Sequence, residues 1–330
     1  MRASGAYLWN GGKMRQMLLA AGLATAIWPL VAAPSRAAPV EATAIRVLRA
    51  PTAFEPLYIA QDQGFFAKHG LKVEIAMATT ADSVVPQLIN GQAQFAETTG
   101  LAVINAVVHD IPVTLVLSEL NTGQKPPTAA LIALKDSPVH SVKDLVGKKV
   151  GVNSLRNQAH LGVLLSAKAA GVDPKSITFV EIPPPALDPT ARKGAVAAIY
   201  SIEPFMSTSL GSGFRIVEDS MGANLKGSPG IAWAAAASYV EKNPDVTKRF
   251  NAAMQEAYVY ANAHPEAVRA VDIKNTRLSK AFIESRDVPK FYPAIYVNDL
   301  LKMGQAMKEF GWITKVPPAT ALVASEAPTK

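Results

Sequence analysis

Short apolar segments alternate with helical patterns along residues 45–218, which is typical of α/β folds with parallel sheets. We therefore expect an α/β architecture with largely parallel sheets and helices in the gaps. The predicted strands are residues 45–48, 73–77, 94–97, 113–117, 130–134, 149–152, 177–181, 197–200 and 215–217.

Residues 56–75 illustrate one such unit, a predicted helix followed by a predicted strand. Pro56 suits a first helical turn, and Gly70 suits the left-handed residue that follows a helix. Leu71, Val73 and Ile75 then alternate with other residues as in a strand. The pattern predicts one helix followed by one strand. The loop before this helix, residues 50–55, lies at the end of the preceding strand, where α/β sheets bind ligands.

The pattern changes after Gly230. An alanine-rich segment, residues 231–237, leads into helices predicted to begin at Asn243 and at Asn298, both with apolar stripes that should face the core. The tail, residues 316–330, is rich in Pro, Ala and Thr and is expected to be mobile.

Two breaks rich in Gly, Pro or Asn, residues 121–127 and 219–230, are predicted to be crossings between domains. The simplest division places residues 38–125 and 225–330 in lobe I and residues 126–224 in lobe II. Two crossings predict a hinge.

The amino end has the pattern of a secretory signal peptide, predicted to span residues 1–37. Basic residues precede an apolar run, and Ser35 and Ala37 are small residues placed for cleavage. A membrane anchor is the alternative, but Pro29 interrupts the run, which falls short of the about 20 residues of a span. Translation begins at Met1 or at Met14. The expected product is exported and not lipid-anchored.

Composition excludes several classes of function. Without the four basic residues of the segment 1–37, the formal charge of +7 falls to +3, and no basic run is present, so we expect no nucleic-acid partner. The absence of cysteine excludes disulfides, thiolate metal sites, cysteine nucleophiles and a lipid-modified cysteine. The five histidines lack metal-site spacing, and no catalytic motif occurs, so no metal, no cofactor and no enzyme activity are predicted.

Three motifs carry a family resemblance: Gly-Phe-Phe at 64–66 followed by Gly-Leu-x-Val-Glu at 70–74, Ser-x-x-Asp-Leu-x-Gly-Lys-x-Val-Gly-Val at 141–152, and Glu-Pro at 203–204. The chain resembles the substrate-binding proteins of nitrate, sulfonate and taurine ABC importers, the NMT1/THI5-like family. The resemblance implies the type II periplasmic-binding-protein fold, in which two α/β lobes close over a ligand. It also implies permease subunits in the inner membrane as partners. Ala197 departs from the pattern, since the family commonly has Asp there.

In such a fold the ligand contacts come from loops that follow strands. Threonine hydroxyls and free N–H groups at helix starts suit anionic oxygens, although they also serve as ordinary helix caps. Gly100 would let a ligand approach the backbone. Phe54 either covers the ligand or packs in the core. The candidate contacts on these loops of lobe I are Thr52, Phe54, Glu55, Thr80, Asp82, Thr98 and Thr99.

Lobe II and the return segment supply the remaining candidates. Arg156 has the planar fork that binds carboxylate or sulfonate, or it is a solvated surface residue. Trp233 either covers the cleft or packs in the core. The candidates on these segments are Asn153, Ser154, Arg156, Tyr200, Glu203 and Trp233.

The predicted function is a monomeric periplasmic receptor that captures a small molecule, of anionic sulfonate, nitrate or carboxylate type, and delivers it to an ABC importer. Two alternatives stay open. One is an exported, cofactor-free lyase-like enzyme that uses Glu55, Asp82 or Glu203 as its base, and the other is a ligand sensor for a signalling partner.

Overall fold

Two five-stranded sheets flanked by helices form the frame of the chain. The computed structural model describes residues 42–50, 56–81, 83–275 and 278–330. The predicted signal peptide, residues 1–37, lies outside the described residues.

Within the described residues, the strands are β1 (Thr43–Arg49), β2 (Leu71–Met77), β3 (Phe95–Thr98), β4 (Val113–Asn121), β5 (Ala129–Leu134), β6 (Lys149–Val152), β7 (Thr178–Glu181), β8 (Ala198–Ile202), β9 (Phe214–Glu218) and β10 (Pro229–Ala236). The helices there are α1 (Pro56–Asp62), α2 (Phe65–Lys68), α3 (Val85–Ile89), α4 (Gly100–Val108), α5 (Gln158–Ala169), α6 (Pro184–Arg192), α7 (Phe205–Gly211), α8 (Ser220–Asn224), α9 (Ala237–Lys242), α10 (Pro244–Ala263), α11 (Pro265–Asn275), α12 (Lys280–Glu284), α13 (Val297–Glu309) and α14 (Ala319–Leu322).

The first sheet has the strand order β2-β1-β3-β10-β4. Strand β1 pairs in parallel with β2 and β3, whereas β10 is antiparallel to both β3 and β4. The alanine-rich segment after Gly230 is therefore a strand in the interior of the sheet. The prediction recognised no strand in this segment. We call this sheet with its helices the first lobe.

The second sheet has the order β7-β6-β8-β5-β9, and its strands come from one continuous stretch of the chain. Strand β6 is parallel to β7 and β8, but β5 is antiparallel to β8 and β9. Both sheets are thus mixed, but in each of them four strands run in one direction and one strand, β10 or β5, is reversed, so most strands are parallel as expected. We call this sheet with its helices the second lobe.

Two predicted helix boundaries are corrected. The helix expected between Pro56 and Gly70 is divided into α1 and α2, because Gly64 takes a left-handed conformation with φ 73°. Gly70 does end α2 in that conformation, with φ 65°. Helix α13 is capped by Tyr296 and begins at Val297, before the predicted Asn298.

Helix α10 packs against the first sheet. Its apolar stripe is buried, as the pattern predicted, and Phe250 stacks on Phe95 of β3 at 4.1 Å between ring centroids. On the other face, an apolar cluster continues through both lobes and includes Leu101 and Leu300 of the first lobe with Leu161 and Met221 of the second. The lobes therefore share part of their core.

The carboxyl-terminal segment is packed against the first lobe, so the expectation that residues 316–330 are mobile was wrong. Leu322 is fully buried, and the Ala324 amide donates to the Leu115 carbonyl of β4 at 2.9 Å. Further along, Ile295 pairs with Thr329 in a parallel bridge. Backbone pairing and apolar burial hold this segment despite its Pro-rich composition.

The two crossings between the sheets are hydrogen-bonded to each other. The Thr122 amide donates to the Ser228 carbonyl at 2.9 Å, and its hydroxyl donates to the Leu225 carbonyl. Gly222 and Gly123 approach so closely that a Cβ on Gly222 would lie 2.7 Å from Gly123 Cα. Side chains larger than hydrogen are excluded there, which brings the two crossings together as one narrow connection.

None of the helices in the described ranges is both long and apolar enough to cross a membrane.

Candidate functional site

The candidate site begins at the carboxyl ends of β1, β2 and β3, which lie side by side in the first sheet. The loops that follow these strands were the predicted ligand loops of lobe I. Thr52, Phe54, Glu55 and Asp82 lie outside the described residues. Placements can therefore be given for Thr80, Thr98 and Thr99 on this side.

The three threonines are held by hydrogen bonds within the protein. Thr98 is fully buried and its hydroxyl donates to the Ala81 carbonyl at 2.7 Å. The Thr99 hydroxyl accepts from the Ala102 amide at 3.1 Å and so caps α4. Thr80 is exposed in a turn closed by Ser83, rather than at the start of α3.

Gly100, at the start of α4, was expected to admit a ligand. Its close neighbours are instead parts of the protein: a Cβ there would lie 3.0 Å from Leu300 Cδ1 and 3.1 Å from the Pro229 carbonyl oxygen. The missing side chain therefore lets α4 pack against α13 and the start of β10.

On the second lobe, the loop after β6 carries Asn153, Ser154 and Arg156. The Asn157 side-chain amide donates to Asn153 Oδ1 at 3.0 Å, and Asn157 Oδ1 accepts from the His160 amide to cap α5. Asn153 and Ser154 are half-buried. Their amide and hydroxyl groups, together with the start of α5, can offer hydrogen bonds to a small polar molecule.

Arg156 points toward the first lobe. Its guanidinium donates to the Trp312 carbonyl and lies 5.9 Å from the centre of the Trp312 ring. The backbone is left-handed, with φ 59°, and the Arg156 amide donates to His160 Nδ1. Burial and the charge of Arg156 lower the pKa of His160 to about 4, so this imidazole is neutral near pH 7. Arg156 here joins the lobes, an arrangement that neither of the two sequence interpretations described.

Glu203 lies at the carboxyl end of β8, where the prediction placed it, and it faces the first lobe. Its carboxylate lies 3.8 Å from Arg286 Nη1 and accepts from the Ser207 hydroxyl at 2.5 Å. Arg286 also faces Asp272 at 3.5 Å, and 4% of its side chain is exposed. Burial raises the pKa of Glu203, against the opposing effects of Ser207 and Arg286.

A cavity of about 620 Å³ opens beside this ion pair. Its walls come from the first crossing, from α7 and from the segment after α12, and they combine apolar surface with hydroxyl groups. Of the predicted ligand contacts, Glu203 is the one that lines it. The lining includes Glu203, Ser207, Phe282 and Arg286.

Tyr200 and Trp233 lie in the interior rather than on the cleft surface. Tyr200 is 3% exposed, and burial raises the pKa of its phenol. Trp233 is 1% exposed, so it packs in the core and does not cover the cleft. Its indole N–H donates to Glu119 Oε2 at 2.9 Å and to the Tyr258 hydroxyl at 3.0 Å.

A buried polar network surrounds Trp233 beneath the ligand loops. Glu119, Glu97 and Arg49 are each at most 3% exposed. Burial and the charge of Glu97 raise the pKa of Glu119, so Glu119 retains a proton above the usual glutamate range. Burial beside Glu97 thus favours the neutral form of Glu119.

Sequence reasoning missed Glu97, Trp312 and Arg286. Glu97 gave a signal, because it is a charged residue beside Phe95 and Ala96 in a predicted buried strand. Trp312 directly follows a predicted helix end at Gly311, where an aromatic residue often packs back onto the protein. Arg286 lies in no motif, so the sequence alone offered no means to find it.

Comparison with known proteins identifies similar chains. A family model described as NMT1/THI5 like matches residues 51–286. The taurine-binding periplasmic protein of Escherichia coli (strain K12) is 25% identical over 217 residues, which make up 65% of this chain and 66% of that protein. A 4-amino-5-hydroxymethyl-2-methylpyrimidine phosphate synthase of Legionella pneumophila is 32% identical over 127 residues, 38% of each chain. The alignments thus span less than two thirds of these relatives.

Among solved structures, the periplasmic aliphatic sulphonate binding protein SsuA from Escherichia coli superposes with a TM-score of 0.71 at 20% identity. The match covers 83% of this chain and 94% of that chain. At this identity the likeness establishes the fold, two α/β lobes of the type II periplasmic-binding-protein class.

Proposed function

We propose, on the premise that this chain belongs to the NMT1/THI5-like family, that it is a solute-binding protein of an ABC importer. Its ligand in this proposal is a small molecule with a sulfonate, nitrate or carboxylate group. It closes on the ligand by hinge motion and releases it unchanged to a permease.

The observation that carries the proposal is the connection between the two lobes. Two hydrogen-bonded crossings join them at Thr122 and Ser228, and the candidate loops of both lobes lie at strand ends. Sites between domains are where ligands preferentially bind, and a narrow connection suits closure around them. The sulphonate-binding neighbour with the same fold supports this interpretation.

In this proposal, the lobes have the predicted boundaries: residues 38–125 with 225–330, and residues 126–224. The sheet strands of each lobe fall within these limits. Hydroxyl and amide groups of Thr80, Asn153 and Ser154, with the backbone N–H groups at the start of α4, are the proposed ligand donors. Free backbone N–H groups at a helix start, supplemented by neutral hydroxyl and amide donors, bind oxyanions without a cation.

The proposed location is the periplasm, with no lipid anchor, since the chain has no cysteine. The matched taurine-binding protein is named periplasmic, and this supports the assignment. Membrane permease subunits are the proposed partners, and the protein is proposed to act as a monomer. A signalling protein in place of a permease stays the alternative partner.

A thermal-shift screen tests the proposal. The purified chain is heated with taurine, methanesulfonate, nitrate or benzoate, and one class should raise the melting temperature. A ligand at 100 times its dissociation constant adds about 2.7 kcal/mol to the free energy of unfolding. Unchanged melting curves with every class would contradict the proposal.

An enzyme is the second candidate, favoured by the partial match to a pyrimidine phosphate synthase. Nuclear magnetic resonance of the ligand recovered after incubation separates the two functions. An intact ligand supports the binding protein, and an altered ligand supports the enzyme.

A further inference from the structure

Three consecutive polar residues at the end of β3, Glu97, Thr98 and Thr99, each bond to a different segment of the first lobe. Glu97 Oε2 accepts from the Ala50 amide at 2.9 Å, at the start of the loop after β1. Thr98 donates to Ala81 in the loop after β2, and Thr99 caps α4. One short segment thus bonds to the end of β1, to the loop after β2 and to the start of α4.

The contact made by Thr98 determines the path of the second loop. Strand β1 lies between β2 and β3 in the sheet. A bond from Thr98 at the end of β3 to Ala81 therefore requires residues 78–81, which follow β2, to cross the end of β1. The Ala78 amide donates to the Arg49 carbonyl at 2.8 Å, so the segment begins paired with the end of β1.

The hydroxyl of Thr98 has no direct access to a ligand. Thr98 is fully buried, and Ala232 of β10 lies opposite it in the antiparallel pair. Its neighbour Thr99 is half-buried at the start of α4. Thr98 can influence a ligand through the loop it holds, and the segment 78–81 is kept beside the start of α4 by this bond.

We infer that Thr98 is a positioning residue of the ligand site, which holds residues 78–81 over the end of β1 so that they form one surface with the start of α4. Because the loop is already ordered in the folded protein, less conformational entropy is lost when a ligand binds, and binding is stronger. The inference rests on the proposed function for its ligand, but the position of the loop is measurable without one.

The test compares four proteins: the wild type, Thr98→Val, Thr98→Ser and Thr247→Val. Valine has nearly the shape of threonine but cannot donate a hydrogen bond, whereas serine retains the hydroxyl. Thr247 is the matched control, because it is also fully buried and its hydroxyl donates to a backbone carbonyl, that of Asn243, at 3.2 Å. It lies on α10, and its bond stays within the first turn of that helix.

Two measurements are made on each protein: amide hydrogen exchange at residues 78–81 and the dissociation constant for taurine by calorimetry. In Thr98→Val we expect exchange at residues 78–81 to rise about five- to tenfold, the effect of losing one hydrogen bond. Taurine binding should weaken by a similar factor. Thr98→Ser and Thr247→Val should match the wild type in both measurements.

Unchanged exchange at residues 78–81 in Thr98→Val would overturn the inference, and so would raised exchange with unchanged taurine affinity. If the wild type does not bind taurine but Thr98→Val alone raises the exchange, the choice of ligand fails while the positioning of the loop by Thr98 stands. The exchange measurement thus separates failure of the inference from failure of the proposed function.

Discussion

Two arginines connect the lobes, and their surroundings differ. Arg286 of the first lobe is almost fully buried between Asp272 and Glu203, above the Phe282 ring at 4.6 Å. Arg156 of the second lobe is exposed and reaches the Trp312 carbonyl and ring. Both guanidinium groups lie over an aromatic ring, but one is buried and the other is exposed, so we expect Arg286 to contribute more to the free energy of unfolding than Arg156.

The two contacts also involve different helices. Arg286 contacts the side of α7 and α12, next to the first crossing. Arg156 lies on the side of α5 and α13, where Lys168 pairs with Glu309 and the shared apolar cluster runs through both lobes. Relative movement of the two lobes would therefore alter both a buried ionic contact and an exposed contact.

The largest expected effect separates the two arginines. Arg286→Met removes the cation that Asp272 and Glu203 face. Because buried charge is then left without a partner, the free energy of unfolding should fall by about 3–5 kcal/mol. Arg156→Met, the matched variant of the exposed contact, should cost about 1 kcal/mol or less. Urea unfolding at pH 7 measures both. Equal losses for the two variants would show that burial does not distinguish the contacts.

The second prediction concerns acid and the exposed contact. His160 has a lowered pKa, about 4, and the unfolded value is 6.5. As the pH falls from 6.5 to 4 the unfolded chain takes up this proton first, so stability is lost. Over this interval the free energy of unfolding of His160→Gln should fall by about 1–2 kcal/mol less than that of the wild type, a range that allows for the partial exposure of the ring. Urea midpoints at pH 4 to 7 measure this, with His109→Gln, an exposed histidine, as control.

The opposite pH dependence is expected at the buried contact, and it is the smallest effect. Burial raises the pKa of Glu203, whereas Arg286 and Ser207 partly offset the rise. As the pH increases above the ordinary glutamate range, the unfolded chain releases this proton first, so the folded state loses stability. Glu203→Gln has no titratable group at this position and should not lose stability in this way.

The same urea series checks the sign. The stability of the wild type relative to Glu203→Gln should decrease as the pH rises from 4 to 7, while Glu241→Gln, an exposed control, should run parallel to the wild type. An increase in the stability of the wild type relative to Glu203→Gln over this range would contradict the raised pKa of Glu203.

The sequence predicted most strands because short apolar segments were bounded by clear turn signals. Residues 149–152 match β6 at both ends. Strand β10 was missed because an interior strand covered on both faces shows no polar alternation, and its alanines also suit a helix. Its partners β3 and β4 are more than 100 residues away in the chain, so no local pattern indicates the pairing.

The location of the candidate loops followed from the rule that ligands bind at strand ends, but the role of each side chain did not. Thr98 and Thr99 are adjacent and chemically alike, yet one is buried and the other caps a helix. That difference depends on where β3 ends. Trp233 is buried by its position in β10, which the sequence did not reveal.

The interior place of β10 also determines the order in which the two sheets can assemble. The second sheet uses residues 129–218 alone, so its strands can pair as soon as that stretch is available. The first sheet must leave a gap between β3 and β4 until residues 229–236 arrive. Pairing across long separations is slow, so until then β3 and β4 each present an unpaired edge on which other chains can aggregate.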